Sequence, residues 1–332
     1  MSEFRVGITA DVLKSDGTPI FGEAVLSLFD AAGIAWEFME PSPAVTPAQA
    51  ARYDAICAML TRVTADTLAG ADRRLKLIAR FGVGYDTIDV AACSAAGVLL
   101  TIAPDGVRRP VATSALTFVL MLAQKVLVKD RLTRSGRWSE KLDHIGTGLT
   151  GRTLGSIGLG NIGAELFRLA RPLEMAFIAH DPVADPTVAA EVGVRLVDLD
   201  TLFREADFLT VNCPLNEATR GLVDARRLAL MKPSAYLINT ARGPIVDERA
   251  LYQALAEGRL AGAGLDVFEE EPTPTDNPLL GLDNVVVTPH GICFTDECMR
   301  RLAESAFRAA LDVAAGRRPP YIVNPEALAR RP

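Results

Sequence analysis

The hexapeptide Gly158-Leu159-Gly160-Asn161-Ile162-Gly163 constrains the fold of this chain more than any other feature. It lies between an apolar run at 152–158, which reads as a buried strand, and a stretch at 162–170 whose apolar residues have helical spacing. In that setting G-x-G-x-x-G joins a parallel strand to a helix. Gly158 permits the tight turn, Gly160 lets backbone approach a pyrophosphate, and Gly163 lets helix and strand pack closely. The first turn of the helix then turns free N–H groups toward the phosphates. An acidic residue about 20 positions on should hold the ribose hydroxyls. Asp181 stands there, after Phe177-Ile178-Ala179-His180. Pro182 and Val183 follow, with no Arg or Lys for a 2′-phosphate, so the expected cofactor is NAD.

Around this motif the chain alternates strand-like and helix-sized segments. Strand candidates at 4–9, 34–39, 53–60, 75–79 and 98–102 precede it. Helical spacing covers 20–31, and Pro41, Pro43 and Pro47 mark a loop. One long helix is expected over 111–134, with Pro110 near its start and Gly136 just past its end. Further strands are expected at 176–180, 208–211, 235–239, 263–267 and 285–288, and a closing helix at 296–315. This alternation implies parallel α/β sheets, and 332 residues suggest two domains.

Composition narrows the function. Apolar residues at 49% and charged residues at 23% suit a globular core. A net charge of −6 argues against nucleic acid as a partner. Cys57, Cys93, Cys213, Cys293 and Cys298 are odd in number and scattered, which suggests no disulfide framework and a reducing, cytoplasmic setting. The first residues are strand-like and mixed with charge, so no signal peptide is expected. The most apolar stretch, 111–128, is broken by Thr113, Ser114, Thr117, Gln124 and Lys125. It falls short of the ~18 consecutive apolar residues of a membrane span, so no membrane partner is expected.

Three later segments end strands: Asn239-Thr240-Ala241-Arg242-Gly243, Leu265-Asp266-Val267-Phe268-Glu269-Glu270-Glu271-Pro272 and Thr288-Pro289-His290. Ligands of open α/β sheets bind outside the carboxyl ends of the strands, so an arginine, an acid and a histidine there converge on one cleft. With the glycine motif, and with Arg80-Phe81-Gly82-Val83-Gly84 and Val323-Asn324-Pro325, these segments resemble the D-isomer-specific 2-hydroxyacid dehydrogenases. The resemblance spans nearly the whole chain. It implies two Rossmann-like or flavodoxin-like parallel-sheet domains. A dinucleotide-binding domain at 102–293 would be inserted into a split substrate-binding, catalytic domain at 1–101 plus 294–332. It also implies a homodimer and hydride transfer between nicotinamide and a small D-2-hydroxy or 2-keto acid.

The resemblance carries roles to individual positions. Arg242 matches the arginine that grips the substrate carboxylate, His290 the acid–base histidine, and Glu271 its partner. Val83 and Gly84 match the loop whose backbone amides hold that carboxylate. Asp266 matches the contact to the nicotinamide amide. Asn161, Ile162, Cys213, Pro214, Thr240 and Ala241 match cofactor-lining positions, with Arg242 and His290 also beside the cofactor.

Other positions depart from the family. Ala112-Thr113-Ser114 stands where many relatives carry Ala-Glu-His, Asn212 where a histidine is common, and Phe294 where small residues are usual. The preceding loop, Pro104 to Pro110, is unusually basic, and Arg108 or Arg109 is expected to bind a second anionic or strongly polar group on the substrate. His290, Cys293 and Cys298 have soft-metal spacing, but a closed zinc site takes four ligands and no second cysteine pair follows, so no metal is expected. Formate oxidation is disfavoured, because formate dehydrogenases of this family pair their histidine with glutamine. A dinucleotide-sensing, corepressor-like protein on the same fold is the other alternative, and turnover on a 2-keto acid separates it from the enzyme.

Overall fold

A computed structural model describes residues 3–70 and 73–330. The chain divides into two compact units, one running to Val107 and resuming at Phe294, the other Arg108–Cys293. The resemblance places the first crossing at 101/102; the division at 107/108 falls inside the helix Pro104–Gln124.

In the first unit, β1 (Arg5–Ile8), β2 (Ala35–Phe38), β3 (Ala55–Ala58), β4 (Leu77–Arg80) and β5 (Leu99–Thr101) form a sheet in the order β2-β1-β3-β4-β5. Every pairing is parallel. β3, β4 and β5 are buried at each position. Parallel strands covered on both faces read as unbroken apolar runs, which is how these sequences read. The helices α1 (Ser27–Ala31), α2 (Pro47–Arg52) and α3 (Val90–Ala95) belong to this unit. So does the C-terminal helix Asp296–Ala314, whose Phe307 packs against Phe21, Phe29 and Phe81. Fully buried Asn324 accepts from the Leu100 N–H and donates to the Val98 carbonyl, tying the tail to β5.

Two local expectations need correction here. Pro47 lies in a helix rather than a loop. It is in the first turn of α2, where its missing N–H costs nothing, and Thr46 and Gln49 form a capping box. The 20–31 helix is shorter than expected: Glu23–Leu26 is 3-10, and α helix begins only at Ser27.

The second unit opens in α4 (Pro104–Gln124), which carries the chain across from the first. The single helix expected at 111–134 is two. α4 starts earlier, with Pro110 inside it, and Lys125 adopts a left-handed φ of 51°. α5 (Val126–Arg134) leaves at a bend of 56°. Among the described residues no single helix is long and apolar enough to cross a membrane, although this bent pair passes that test together. In α4, Ala115, Phe118, Val119 and Leu122 sit in the core of the second unit.

Seven parallel strands follow: β6 (Thr153–Ile157), β7 (Ala176–His180), β8 (Arg195–Leu196), β9 (Phe208–Val211), β10 (Tyr236–Asn239), β11 (Gly262–Leu265) and β12 (Val285–Val287). Their order is β12-β11-β10-β9-β6-β7-β8. The helices α6 (Asn161–Ala170), α7 (Pro186–Val192), α8 (Leu199–Glu205), α9 (Ala225–Leu228) and α10 (Glu248–Ala256) alternate with them. The strand order reverses between β6 and β9, the switch point where doubly wound sheets bind ligands. The turn at Gly158 and the segment Asn212-Cys213-Pro214 leave the sheet on either side of it.

Candidate active site

The glycine turn has the form its residues require. Gly158 has φ of 99°, and a Cβ there would lie 2.8 Å from the Asn212 carbonyl oxygen. A Cβ on Gly163 would lie 2.4 Å from the Gly158 carbonyl oxygen, so α6 and the turn touch. Gly160, the N-cap of α6, faces open space. Ser156 donates to the Gly158 carbonyl and accepts from Asn212, bracing the turn across β6 and β9. Asp181, just past β7, accepts the Leu159 N–H at 2.8 Å and the Val183 N–H at 2.9 Å. A carboxylate offers about four acceptor positions, so two remain. A cavity of about 360 Å³ joins Gly160, Asn161, Asp181, Ala184 and Arg108. Open backbone at a helix N-terminus, an acid at the next strand's end and a groove between them fit a dinucleotide. Ile162, Cys213, Thr240 and Ala241 are half-buried, while Asn161 and Pro214 are exposed. Burial pushes the Cys213 thiol up to about 11, so it stays protonated.

Three loops at the ends of β10, β11 and β12 form the other half of this unit's site. Asn239 accepts from the Ala241 N–H and donates to the Arg242 carbonyl, fixing the loop that carries Arg242. Gly243 has no room for a side chain: a Cβ would fall 1.8 Å from the Phe268 carbonyl oxygen. That contact locks the Arg242 loop to the one bearing Glu271. Asp266 is buried, and its Oδ1 accepts from Thr288 Oγ1, the Gly291 N–H and the Ile292 N–H. The His290 N–H donates to the Asp266 carbonyl, and His290 has a left-handed φ of 50°. Asp266 thus holds an unfavourable turn that presents the histidine.

His290 Nδ1 lies 2.7 Å from Glu271 Oε2, and Glu271 Oε1 accepts the Phe268 N–H at 3.0 Å. Burial raises the Glu271 carboxyl, but the bonds from His290 and Phe268 and the charges of His290 and Arg242 outweigh it. The carboxyl is held below its ordinary range. It is a fixed anion against the ring.

In the first unit, Val83 and Gly84 follow β4. Buried Arg80 donates to the carbonyls of Phe81 and Gly84, and Gly82 has φ of 136°. With those carbonyls turned inward, the N–H groups of Val83 and Gly84 have no acceptor among the described residues.

Arg108 and Arg109 lie in α4 rather than in a loop, and they part company. Arg109 pairs with Glu165 of α6 at 2.8 Å, while Arg108 lines the groove that holds Asp181. Sequence reasoning missed Asn239, Gly243 and Arg80 as the residues that set the site's loops. The signal for two of them was adjacency, since Asn239 and Gly243 bracket the Arg242 motif. Among the described residues no group of three or more His, Cys, Asp or Glu comes together as a metal cage.

A glycine-turn groove beside an arginine, a glutamate and a histidine on neighbouring strand ends defines a dinucleotide-dependent dehydrogenase. Residues 116–291 match the family described as D-isomer specific 2-hydroxyacid dehydrogenase, NAD binding domain. A glyoxylate reductase of Korarchaeum cryptofilum is 37% identical over 295 residues, covering 88% of this chain and 89% of that protein. A D-3-phosphoglycerate dehydrogenase of Archaeoglobus fulgidus is 42% identical over 247 residues, covering 74% of this chain and 46% of that longer protein. A solved protein from Thermus thermophilus superimposes with a TM-score of 0.84 at 31% identity, covering 96% of this chain and 100% of that one. The chain belongs to the D-isomer-specific 2-hydroxyacid dehydrogenases, and its cofactor is NAD.

Proposed function

We propose that this enzyme interconverts a small 2-keto acid and its D-2-hydroxy acid, with His290 as acid–base, Glu271 as its partner and Arg242 on the substrate carboxylate. The observation that carries the reading is the 2.7 Å bond between His290 Nδ1 and Glu271 Oε2, in a loop pinned to that of Arg242. Because Nδ1 is engaged by the carboxylate, Nε2 is the nitrogen left to exchange a proton with the substrate oxygen. In reduction it gives that proton to the carbonyl, and in oxidation it takes one from the hydroxyl. The guanidinium fork of Arg242 suits a carboxylate, and the N–H groups of Val83 and Gly84, which have no acceptor among the described residues, are proposed as further donors. NAD, when bound, supplies or accepts the hydride.

Arg108–Cys293 is assigned as the dinucleotide domain and the first unit as the substrate-binding domain. Gly158, Gly160 and Gly163 would form the phosphate turn, with Asn161 and Ile162 opening the helix. Asp181 would take the ribose hydroxyls through its remaining acceptor positions. Asp266 Oδ2, which takes none of the three bonds to that carboxylate, would accept from the nicotinamide amide. Cys213, Pro214, Thr240 and Ala241 would line the cofactor.

The enzyme is proposed to be a homodimer. Trp138, Leu142 and Ile145, just beyond α5, expose 65%, 71% and 72% of their surface, an apolar patch of the kind that marks a protein interface. The odd number and wide scatter of the cysteines support a reducing, cytoplasmic setting, with no nucleic acid or membrane partner. The test is NADH oxidation across mono- and diacid 2-keto substrates. Turnover should occur with at least one and fall about 10²–10⁴-fold in His290→Ala. Binding of NADH with no turnover on any of them would overturn the reading.

A further inference from the structure

The dinucleotide groove contains a positive charge that an NAD site does not need. Three arginines stand on this face of α4 and α6. Arg109 is bound to Glu165 at 2.8 Å. Arg168 lies 3.6 Å from Glu165 and 2.9 Å from Glu191. Arg108 has neither a hydrogen bond nor an ion pair among the described residues, and it lines the groove with Asp181. Asp185, the other acid of the groove, caps α7 by accepting from the Thr187 N–H. The guanidinium of Arg108 therefore shares the groove with the acid expected at the ribose 2′ position, without an ion pair among the described residues.

Its placement separates two possible ligands. The cofactor pyrophosphate belongs at the first turn of α6, where Gly160 leaves open backbone. The groove extends further. Its α6 lining is Gly160, Asn161, Ala164 and Arg168, one face of the helix, and it continues to Val183 and Val188. At 1.5 Å per residue, Ala164 is about 4.5 Å and Arg168 about 10 Å past Asn161 along the axis. The cavity thus runs away from the pyrophosphate end, past the ribose acid. Anions in NAD and NADP differ only by the 2′-phosphate on that ribose. We propose that Arg108 is a 2′-phosphate ligand which lets the groove accept NADP(H) as a second cofactor, offsetting the repulsion from Asp181. Two backbone N–H bonds, from Leu159 and Val183, fix the Asp181 carboxylate in the groove, so it cannot turn away from the phosphate that Arg108 would hold. The absence of a cation after Asp181 in sequence is therefore misleading, because the cation comes from α4.

This rests on reading the groove as the dinucleotide site, and the experiment tests the two ideas separately. Dissociation constants for NADH and NADPH are measured by nucleotide fluorescence without substrate, in the unaltered enzyme and in Arg108→Gln, Arg108→Lys and Asp181→Ala. Arg108→Gln should weaken NADPH about 10- to 100-fold, the worth of a charge-assisted bond, and NADH less than about threefold. Arg108→Lys should recover part of the NADPH affinity, since it keeps the charge but not the fork. Asp181→Ala should weaken NADH and tighten NADPH. Equal weakening of both nucleotides by Arg108→Gln would overturn the proposal and make Arg108 a pyrophosphate ligand. No change with either would make it a solvated surface charge. If Asp181→Ala leaves NADH binding unchanged, the reading of the groove itself fails, and the proposal with it.

Discussion

Replacing Glu271 by Gln keeps the length of the side chain and a partner for His290 while removing the charge. Two unit charges about 4 Å apart interact by about 4 kcal/mol at an effective dielectric of ~20 and about 1 kcal/mol in water. The His290 and Glu271 side chains are 38% and 36% exposed, so solvent screens the pair heavily. About 1–1.5 kcal/mol of attraction remains. Because the Glu271 carboxyl is held below its ordinary value of 4.5, it stays ionised across the neutral range. In keto-acid reduction His290 must carry the proton it donates, so activity is lost as pH rises. Without the carboxylate the imidazolium loses its nearest counter-charge. The alkaline limb of kcat/KM for reduction should then move to lower pH, and the acid limb for hydroxy-acid oxidation should move the same way. Initial rates of NADH consumption and formation from about pH 5 to about pH 8, at constant ionic strength, measure both. A limb that stays in place or moves upward refutes the argument, and Glu271 is then a scaffold for the Phe268 turn only.

Arg242→Lys should raise KM for the keto acid about tenfold or more with a smaller loss in kcat, because a point charge replaces a bidentate fork. Steady-state kinetics on the preferred substrate separates the two parameters. Gly243→Ala would place a methyl 1.8 Å from the Phe268 carbonyl oxygen, so the two loops must part. It should cost about 1–3 kcal/mol in stability, read by denaturant unfolding, and depress activity with Arg242, Glu271 and His290 all intact. The double variant Trp138→Glu, Leu142→Glu should convert the enzyme to monomer, read by light scattering at micromolar concentration, and an unaltered enzyme that is already monomeric contradicts the dimer.

The parts of the fold legible in the sequence are those where one local rule decides. β7 and β9 end where expected, because Ala176–His180 and Phe208–Val211 are apolar runs closed by polar or turn residues. The glycine turn was legible because Gly158 and Gly163 each answer a steric demand, while Gly160 leaves its backbone open. β8 was not, since Arg195–Leu196 is two exposed residues without an apolar pattern. Neither was the break between α4 and α5, where the left-handed residue is a lysine, not the glycine or asparagine such a turn favours. In the site, the titrating residues could be named from motifs, but the residues that aim them could not. The demand on Gly243 comes from Phe268, 25 positions away in sequence, and appears only when β10 and β11 lie side by side.

The two adjacent arginines show the same limit most clearly. Read as a loop, Arg108 and Arg109 offer no reason to prefer either one, and both look available to a substrate. Helix geometry removes that freedom. α4 begins at Pro104, so the two side chains leave the axis about 100° apart, at 3.6 residues per turn. Once Arg109 is directed at the buried carboxylate of Glu165, Arg108 points elsewhere, and what lies there is the groove containing Asp181. Glu165 is buried and is held by Arg109 at 2.8 Å, with Arg168 further off at 3.6 Å, so Arg109 is committed to it while Arg108 is not. The cofactor assignment of Arg108 therefore follows from the start of a helix and the burial of one glutamate, neither of which the local sequence reveals.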